Sequence, residues 1–315
     1  MSALGPDLRT ARAVLSGRIV GRDEELRLLL AALAAHRDIL LEGPPGTSKS
    51  TLLREVTALL DVPLVFVEGN AELTTSRLVG HHNPARVLHE DFTADTFVPG
   101  PLVRAMEDGG FLYIEEINRA PEDTLNALLS AVAERQLAIP RVGLVRASEG
   151  FRVIASMNPF DNVGTSRISS SVHDRLCRIA VGYQDEADEI DIVRLRTDSA
   201  RTRLVEDGVA LVRATRLHHA VRQGSSVRGA IDLVLVAQRL LELDGLELED
   251  LDPGDLDPRD GKPAGRYPSI VLDATMVALS GRIQLVETAD TTPERVLREI
   301  WEDRFFLAPH RAAPG

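Results

Sequence analysis

Glu42-Gly43-Pro44-Pro45-Gly46-Thr47-Ser48-Lys49-Ser50-Thr51 is the stretch on which the fold turns. An apolar run, Ile39-Leu40-Leu41, precedes it, and a helical pattern with apolar residues at Leu52, Leu53, Val56, Leu59 and Leu60 follows. Strand, glycine-bearing turn, lysine, hydroxyl and helix come in the order that a phosphate cradle requires. Loop N–H groups wrap the phosphates and the helix N-terminus adds its positive dipole end. Lys49 then reaches the outer phosphates as a point charge, and the Ser50 hydroxyl ligates a magnesium ion. One position departs from the pattern: Ser48 stands where glycine precedes the lysine.

The whole chain sets bounds on this reading. Its 315 residues suffice for two domains, each with its own core. With 44% apolar but only 4% aromatic residues, those cores are built from Leu, Val, Ile and Ala. A formal net charge of −12 argues against a general binder of nucleic acid or membrane surfaces. Cys177 is the only cysteine, which excludes an intrachain disulfide and a cysteine-based zinc site and fits a reducing cytoplasmic setting. Residues 1–20 carry scattered arginines rather than a signal-peptide core, and the longest apolar run, Leu28 to Ala35, is too short to cross a bilayer. A soluble cytoplasmic protein is expected.

Outward from the loop, Glu24 to Ala35 reads as a helix with Leu26, Leu29, Leu30 and Leu33 on one face. Before it, Ile19-Val20-Gly21-Arg22-Asp23 is a turn whose apolar residues either pack on a flat ligand or staple the helix. Strands are predicted at Asp38–Leu41, Leu64–Val67, Phe111–Ile114, Phe151–Met157 and Cys177–Val181. The third is apolar throughout, of the doubly buried parallel kind, and ends in Glu115-Glu116. Two carboxylates at a strand's C-terminal end stand where α/β sheets place their chemistry: one for the water shell of a magnesium ion, one for the proton of an attacking water. Asn158 closes the fourth strand at the same rim. A helix is expected from about Asp123 to Glu134, and Leu137–Ala147 alternates as a projecting hairpin.

Other stretches read more plainly. Glu72 to Pro101, with His81, His82 and His89, lacks helical metal-ligand spacing and is expected as a solvated loop, as are His218-His219 on a later helix. Cys177, close to His173 and Asp174, is expected as a small apolar filler of its strand rather than a nucleophile. From Gln184 the pattern is helical: Asp185–Leu195, Val205–Val221, Arg228–Leu241, the third capped by Ser225 or Ser226, and Pro293–Trp301. Asp244 to Pro268 reads as an acidic insertion, where Pro253 and Pro258 break any calcium-loop spacing among Asp250, Asp252, Asp255 and Asp257.

Strands alternating with helices, followed by a helical tail, predict an α/β P-loop domain over 1–183, a three-layer parallel-sheet core, and an all-helical lid domain over 184–315. At this point the chain resembles the AAA+ ATPases of the MoxR type, relatives of the magnesium chelatase ATPase subunit and of the NorQ and CbbQ activators. The likeness runs from about Val20 to Arg239. It rests on Ile39 to Ser50 as Walker A, Phe97-Val98-Pro99-Gly100-Pro101-Leu102 as the insert in the second core helix, Tyr113 to Pro121 as Walker B, and Leu137–Ala147 as the hairpin before sensor 1. In that family a small residue commonly replaces the glycine at the Ser48 position.

The resemblance implies a magnesium-dependent ATPase that forms a hexameric ring and remodels a partner protein. That partner is often a von Willebrand factor A domain protein or a metalloenzyme, and a metal-chelatase complex is a further possibility by kinship. ATP and Mg2+ are the implied cofactors. Gly43, Pro44, Pro45, Gly46, Thr47, Ser48, Lys49, Ser50 and Thr51 bind phosphates, Val20 and Gly21 flank the adenine, and Ser50 with Glu115 holds magnesium. Glu115 replaces the family's aspartate. Glu116 is the base, Asn158 is sensor 1, Arg175 reaches the neighbouring subunit's γ-phosphate, and Arg228 is sensor 2. The alternative is a nucleotide-sensing scaffold with little turnover. Nucleic acid is the least expected partner.

Overall fold

The computed structural model describes residues 7–159, 170–246 and 266–307. The chain divides after Gly182 into two compact units. The first runs through α1 (Leu8–Ser16), α2 (Asp23–Ala34), β1 (Ile39–Glu42), α3 (Lys49–Leu60), β2 (Leu64–Glu68), α4 (Thr75–Val79), β3 (Gly80–His82), α5 (Pro84–Glu90), β4 (Phe97–Pro99) and α6 (Pro101–Asp108). It continues with β5 (Phe111–Glu115), α7 (Glu122–Glu134), β6 (Gln136–Ile139), β7 (Gly143–Arg146), β8 (Arg152–Met157), α8 (Ser170–Arg175) and β9 (Cys177–Ala180).

Five of these strands form one parallel sheet in the order β2-β5-β8-β1-β9. Side-chain alternation divides their residues between two cores. Ile39, Leu41, Phe111, Tyr113 and Ile154 pack with α1, α2 and α3. Leu40, Leu112, Ile114, Val153 and Ala155 pack with α6 and α7. Both faces are therefore covered, which is why these strands read as unbroken apolar runs and why the unit has three layers. The hairpin expected at Leu137–Ala147 is β6 paired antiparallel with β7.

Glu72 to Pro101 differs from the solvated loop expected. It contains α4, β3, α5 and β4, with His81 opposite Val98 and His82 opposite Phe97. His82 lies edge-on to Phe92 and Phe97, and its Nδ1 is 3.0 Å from Thr96 Oγ1. The signals were local caps: the Thr74 hydroxyl accepts from Arg77 N–H at 3.2 Å, and Asn83 Oδ1 accepts from Ala85 N–H at 3.0 Å with Pro84 at the first helical position. Among the described residues no group of three or more His, Cys, Asp or Glu could hold a metal ion. Cys177 is exposed rather than a buried filler, because β9 is the outermost strand of the sheet.

The second unit holds α9 (Glu186–Thr197), α10 (Thr202–Thr215), β10 (Val221–Gln223), α11 (Val227–Leu243), α12 (Arg266–Leu279), β11 (Gln284–Leu285) and α13 (Pro293–Glu302) around its own core, including Leu204, Leu233, Val271, Leu297 and Trp301. Three expectations need correction here. The helix expected to reach Val221 stops at Thr215, and His218 and His219 stack at 4.6 Å beyond its end. The unit is not purely helical, because β10 pairs antiparallel with β11. Helix α12 also begins inside the stretch assigned to the acidic insertion, and its buried Ile270, Val271, Ala274 and Leu279 are the periodic face that the reading passed over. The calcium reading and most of the insertion (247–265) lie outside the described residues, as does most of the stretch from Asp161 to Ser171, which the sequence reads as a loop. No helix among the described residues is long and apolar enough to cross a membrane.

Candidate functional site

The loop between β1 and α3 is tied down at both ends. Gly43 N–H donates to Met157 O at 3.1 Å, and a Cβ on Gly43 would stand 1.9 Å from Val181 O, so only glycine fits where the chain leaves the sheet. Gly46 has φ 74°, and Ser48 has φ 66° and ψ 18°. The Ser48 position therefore demands left-handed backbone, which glycine adopts freely and serine adopts at a cost of roughly 1–2 kcal/mol. Lys49, first in α3, turns its Nζ to Gly43 O at 2.8 Å and Pro44 O at 2.7 Å, while the Thr47 hydroxyl donates to Pro44 O at 2.8 Å. Pro45 and Thr51 are exposed.

Val20 and Gly21 (φ 66°) form the turn before α2. That turn is connected to the loop by a residue to which the sequence reading gave no role. Arg22, 2% exposed, donates to Thr47 O at 2.9 Å and Gly182 O at 2.8 Å, and pairs with Glu25 at 2.7 Å. A buried guanidinium is costly to desolvate unless it is paired and hydrogen-bonded. Here it joins the turn, the loop and the last residue of the first unit. Only the three-residue spacing to Glu25 hinted at it.

Strand order brings the acids to the loop. Ser50 Oγ donates to Glu115 Oε1 at 2.5 Å across 65 residues of sequence. Beside them the buried Tyr113 hydroxyl lies 3.2 Å from Ser50 Oγ, 3.0 Å from Ser156 Oγ and 3.4 Å from Glu115 Oε1. Burial pushes the Tyr113 phenol up from its ordinary value, so it stays protonated. Ser50 and Glu115 supply hard oxygen donors in contact with each other, a set that suits magnesium.

Glu116 adopts φ 54°, which turns the chain out of β5, and its carboxylate pairs with Arg119 at 3.0 Å. Gly69, legible in the sequence as the end of the second strand, braces this corner. Its N–H donates to Glu115 O at 2.7 Å, and a Cβ there would meet Glu116 O at 2.4 Å. Asn158 follows β8 directly at the same edge, where Glu42 stands in register with Met157. Lys49, Ser50, Glu115, Glu116 and Asn158 are thus gathered at the C-terminal edge of one sheet.

Both arginines sit at helix ends. Arg175, last in α8, is exposed and donates to Ser171 O at 3.0 Å. Arg228 belongs to the second unit, where it is exposed in the first turn of α11. Neither Ser225 nor Ser226 caps that helix through its side chain; Ser225 is instead buried, its N–H donating to Thr215 Oγ1 at 2.9 Å. Arg216 fixes the approach to α11: Nε donates to Ser225 O at 2.7 Å, and the guanidinium lies 3.9 Å from the Tyr183 ring centre. Arg216 also meets the 1%-exposed Glu189 at 2.7 Å, which accepts from Arg213 at 3.0 Å as well. This network was not legible in the sequence, since its members are 24 to 27 residues apart.

The family model described as the AAA domain, dynein-related subfamily, matches residues 38–176. An uncharacterised protein of Staphylococcus epidermidis is 30% identical over 211 residues, a match that spans 64% of this chain and 79% of that relative. The chain belongs to the AAA family. Gas vesicle ATPase GvpN1 of Halobacterium salinarum is 32% identical to this AAA protein over 196 residues, 57% of this chain and 56% of the relative. Gas vesicle ATPase GvpN of Haloferax mediterranei is 30% identical over 226 residues, 67% of this chain and 64% of the relative. The match thus spans less than two thirds of each gas vesicle protein. Among solved structures, the RuvB Holliday junction branch migration motor of Thermotoga maritima resembles this AAA protein at a TM-score of 0.52 and 17% identity, covering 82% of this chain and 70% of that one. That likeness shows the AAA P-loop fold.

Proposed function

We propose that this AAA protein is a magnesium-dependent ATPase that uses hydrolysis to remodel a partner protein. One observation carries the reading: Ser50, next to Lys49 at the start of α3, donates to Glu115 at the end of β5, where Glu116 follows, on the C-terminal edge of a parallel sheet. Lys49 and the loop N–H groups bind the phosphates of ATP, Glu116 accepts the proton of the attacking water, and Asn158 orients that water. Phosphoryl transfer asks the protein mainly for position and positive charge. By resemblance, the exposed Arg175 supplies that charge to the next subunit of a hexameric ring. Held by Ser50 and Glu115, magnesium would neutralise phosphate charge as a Lewis acid.

The name gas vesicle ATPase borne by two relatives supports hydrolysis as the work of such a domain. By resemblance, the partner is a von Willebrand factor A domain protein or a metalloenzyme, in the cytoplasm. A net charge of −12 counts against DNA as the substrate. Phosphate release is the test. Glu116→Gln lowers turnover by about 10²–10⁴-fold while retaining ATP binding, and with ATP it traps the partner in a pull-down.

A second reading, a nucleotide-sensing scaffold, is favoured by the way the acids are engaged within the chain, Glu115 by Ser50 and Glu116 by Arg119. Equal, negligible phosphate release by wild type and Glu116→Gln, with ATP still bound, would establish it instead.

A further inference from the structure

We propose that Tyr113 is a positioning residue of the metal corner, its hydroxyl fixing the Glu115 carboxylate from the buried side. This rests on the ATPase reading above. Tyr113 and Glu115 lie two apart on β5, so both project from one face of the sheet, the face covered by α3. Ile154 is in register with Tyr113, so Ser156 on β8 shares that face.

Three side chains converge on the phenol oxygen, Ser50 at 3.2 Å, Ser156 at 3.0 Å and Glu115 at 3.4 Å. The hydroxyl carries one proton, and both Ser156 Oγ and Glu115 Oε1 are within its reach. Ser50 Oγ likewise carries one proton, which it gives to Glu115 at 2.5 Å. A cation at this corner would take a lone pair of Ser50 Oγ and leave that proton on Glu115. Tyr113 stands as a second donor to the same carboxylate from inside the chain. A glutamate side chain has one more torsion to fix than an aspartate, so a buried, rigid donor matters more for it. Tyrosine suits this role because its ring fills the apolar layer while its tip stays polar. The apolar run Phe111–Ile114 hid it in the sequence, where Tyr113 counts as one more core residue.

Ser156 gives the proposal its signature. Removing the Tyr113 hydroxyl takes away the donor, whereas removing the Ser156 hydroxyl takes away the competing acceptor and leaves the Tyr113 proton to Glu115. The experiment titrates Mg2+ into the full-length chain with a fluorescent ATP analogue, and repeats analogue binding in EDTA, for wild type, Tyr113→Phe and Ser156→Ala. Tyr113→Phe is expected to raise the Mg2+ midpoint about 3–10-fold, the effect of one hydrogen bond to a carboxylate at this length, with binding in EDTA unchanged. Ser156→Ala is expected to show a midpoint no higher than wild type. Binding of Mn2+ followed by electron paramagnetic resonance reads the same order without turnover.

The proposal is overturned by a Tyr113→Phe midpoint equal to wild type. It is equally overturned if both variants raise the midpoint alike, or if Tyr113→Phe weakens binding as much in EDTA as in Mg2+, since either marks a general loosening of the strand face. Wild-type protein that binds no analogue at all overturns the ATPase reading, and this inference with it, and is recognised by its independence of any substitution.

Discussion

The two compact units use carboxylates in opposite ways. In the first, Glu115 and Glu116 stand at the edge of a sheet, partly accessible: Ser50 and Tyr113 engage one through their hydroxyls, and Arg119 pairs with the other. In the second, Glu189 and Asp207 are buried beneath arginines. Glu189 meets Arg213 and Arg216, and Asp207 accepts from Arg304 at 2.9 Å and from the Tyr267 hydroxyl at 2.8 Å. The cations divide by burial rather than by unit: Arg22 and Arg216 are consumed in structure, while Arg175 and Arg228 are exposed. An acid or base kept for chemistry must remain within reach of a ligand, whereas one that ties helices together must have its charge answered inside the protein.

Substitutions at the two sets of acids test that division. Glu189→Ala leaves Arg213 and Arg216 facing an uncompensated site and is expected to cost about 3–5 kcal/mol of the second unit's stability, read by denaturant unfolding. Glu116→Gln, in the same experiment, is expected to move stability by no more than about 0.5 kcal/mol while abolishing most phosphate release. A large stability loss from Glu116→Gln, or none from Glu189→Ala, breaks the comparison.

Ser48→Gly refines it at the loop. Relief of the left-handed serine backbone, offset by glycine's greater unfolded-state freedom, is expected to leave a net gain of about 0.5 kcal/mol. A higher denaturation midpoint is the check, and a lower one shows that the serine side chain contributes more than its backbone strain costs.

The smallest effect is electrostatic. Arg178 donates two hydrogen bonds to Glu42, at 2.6 and 2.9 Å, and this pairing holds the Glu42 carboxyl below its ordinary value of 4.5. A depressed folded-state pKa contributes stability that is present above the unfolded value and is lost as pH falls through the folded one. Arg178→Met is therefore expected to show a slightly shallower fall in stability below about pH 4.5, the ordinary glutamate range, with its neutral-pH stability lower by a few tenths of a kcal/mol at most. Parallel pH-dependent melting of the two proteins decides it, and identical profiles count against the pair.

The legible parts of this molecule were those written in consecutive residues. A strand running into Gly43, Gly46 and Lys49 has a recognisable local pattern, as do an apolar run ending in Glu115-Glu116 and helices with a 3.6-residue period, because their backbone geometry is set by neighbours in the chain. Where that pattern was weak or interrupted the reading failed. Thr74 and Asn83 cap helices too short to show a period, α12 starts where an acidic stretch was thought to continue, and β10 with β11 are two or three residues long.

By itself, the sequence determined the glycine-bearing loop between a strand and a helix, the pair of acids that ends β5, and the α/β class. Tertiary structure alone decided what those parts touch. The order β2-β5-β8-β1-β9 sets Glu115 beside Ser50, lets Tyr113 reach both, and carries Arg22 to Thr47 and Gly182. Which strand neighbours which is settled by burying both faces of the sheet under helices, a balance over the whole chain that no local pattern encodes. The loop is written in ten residues, while the company it keeps is a property of the entire core.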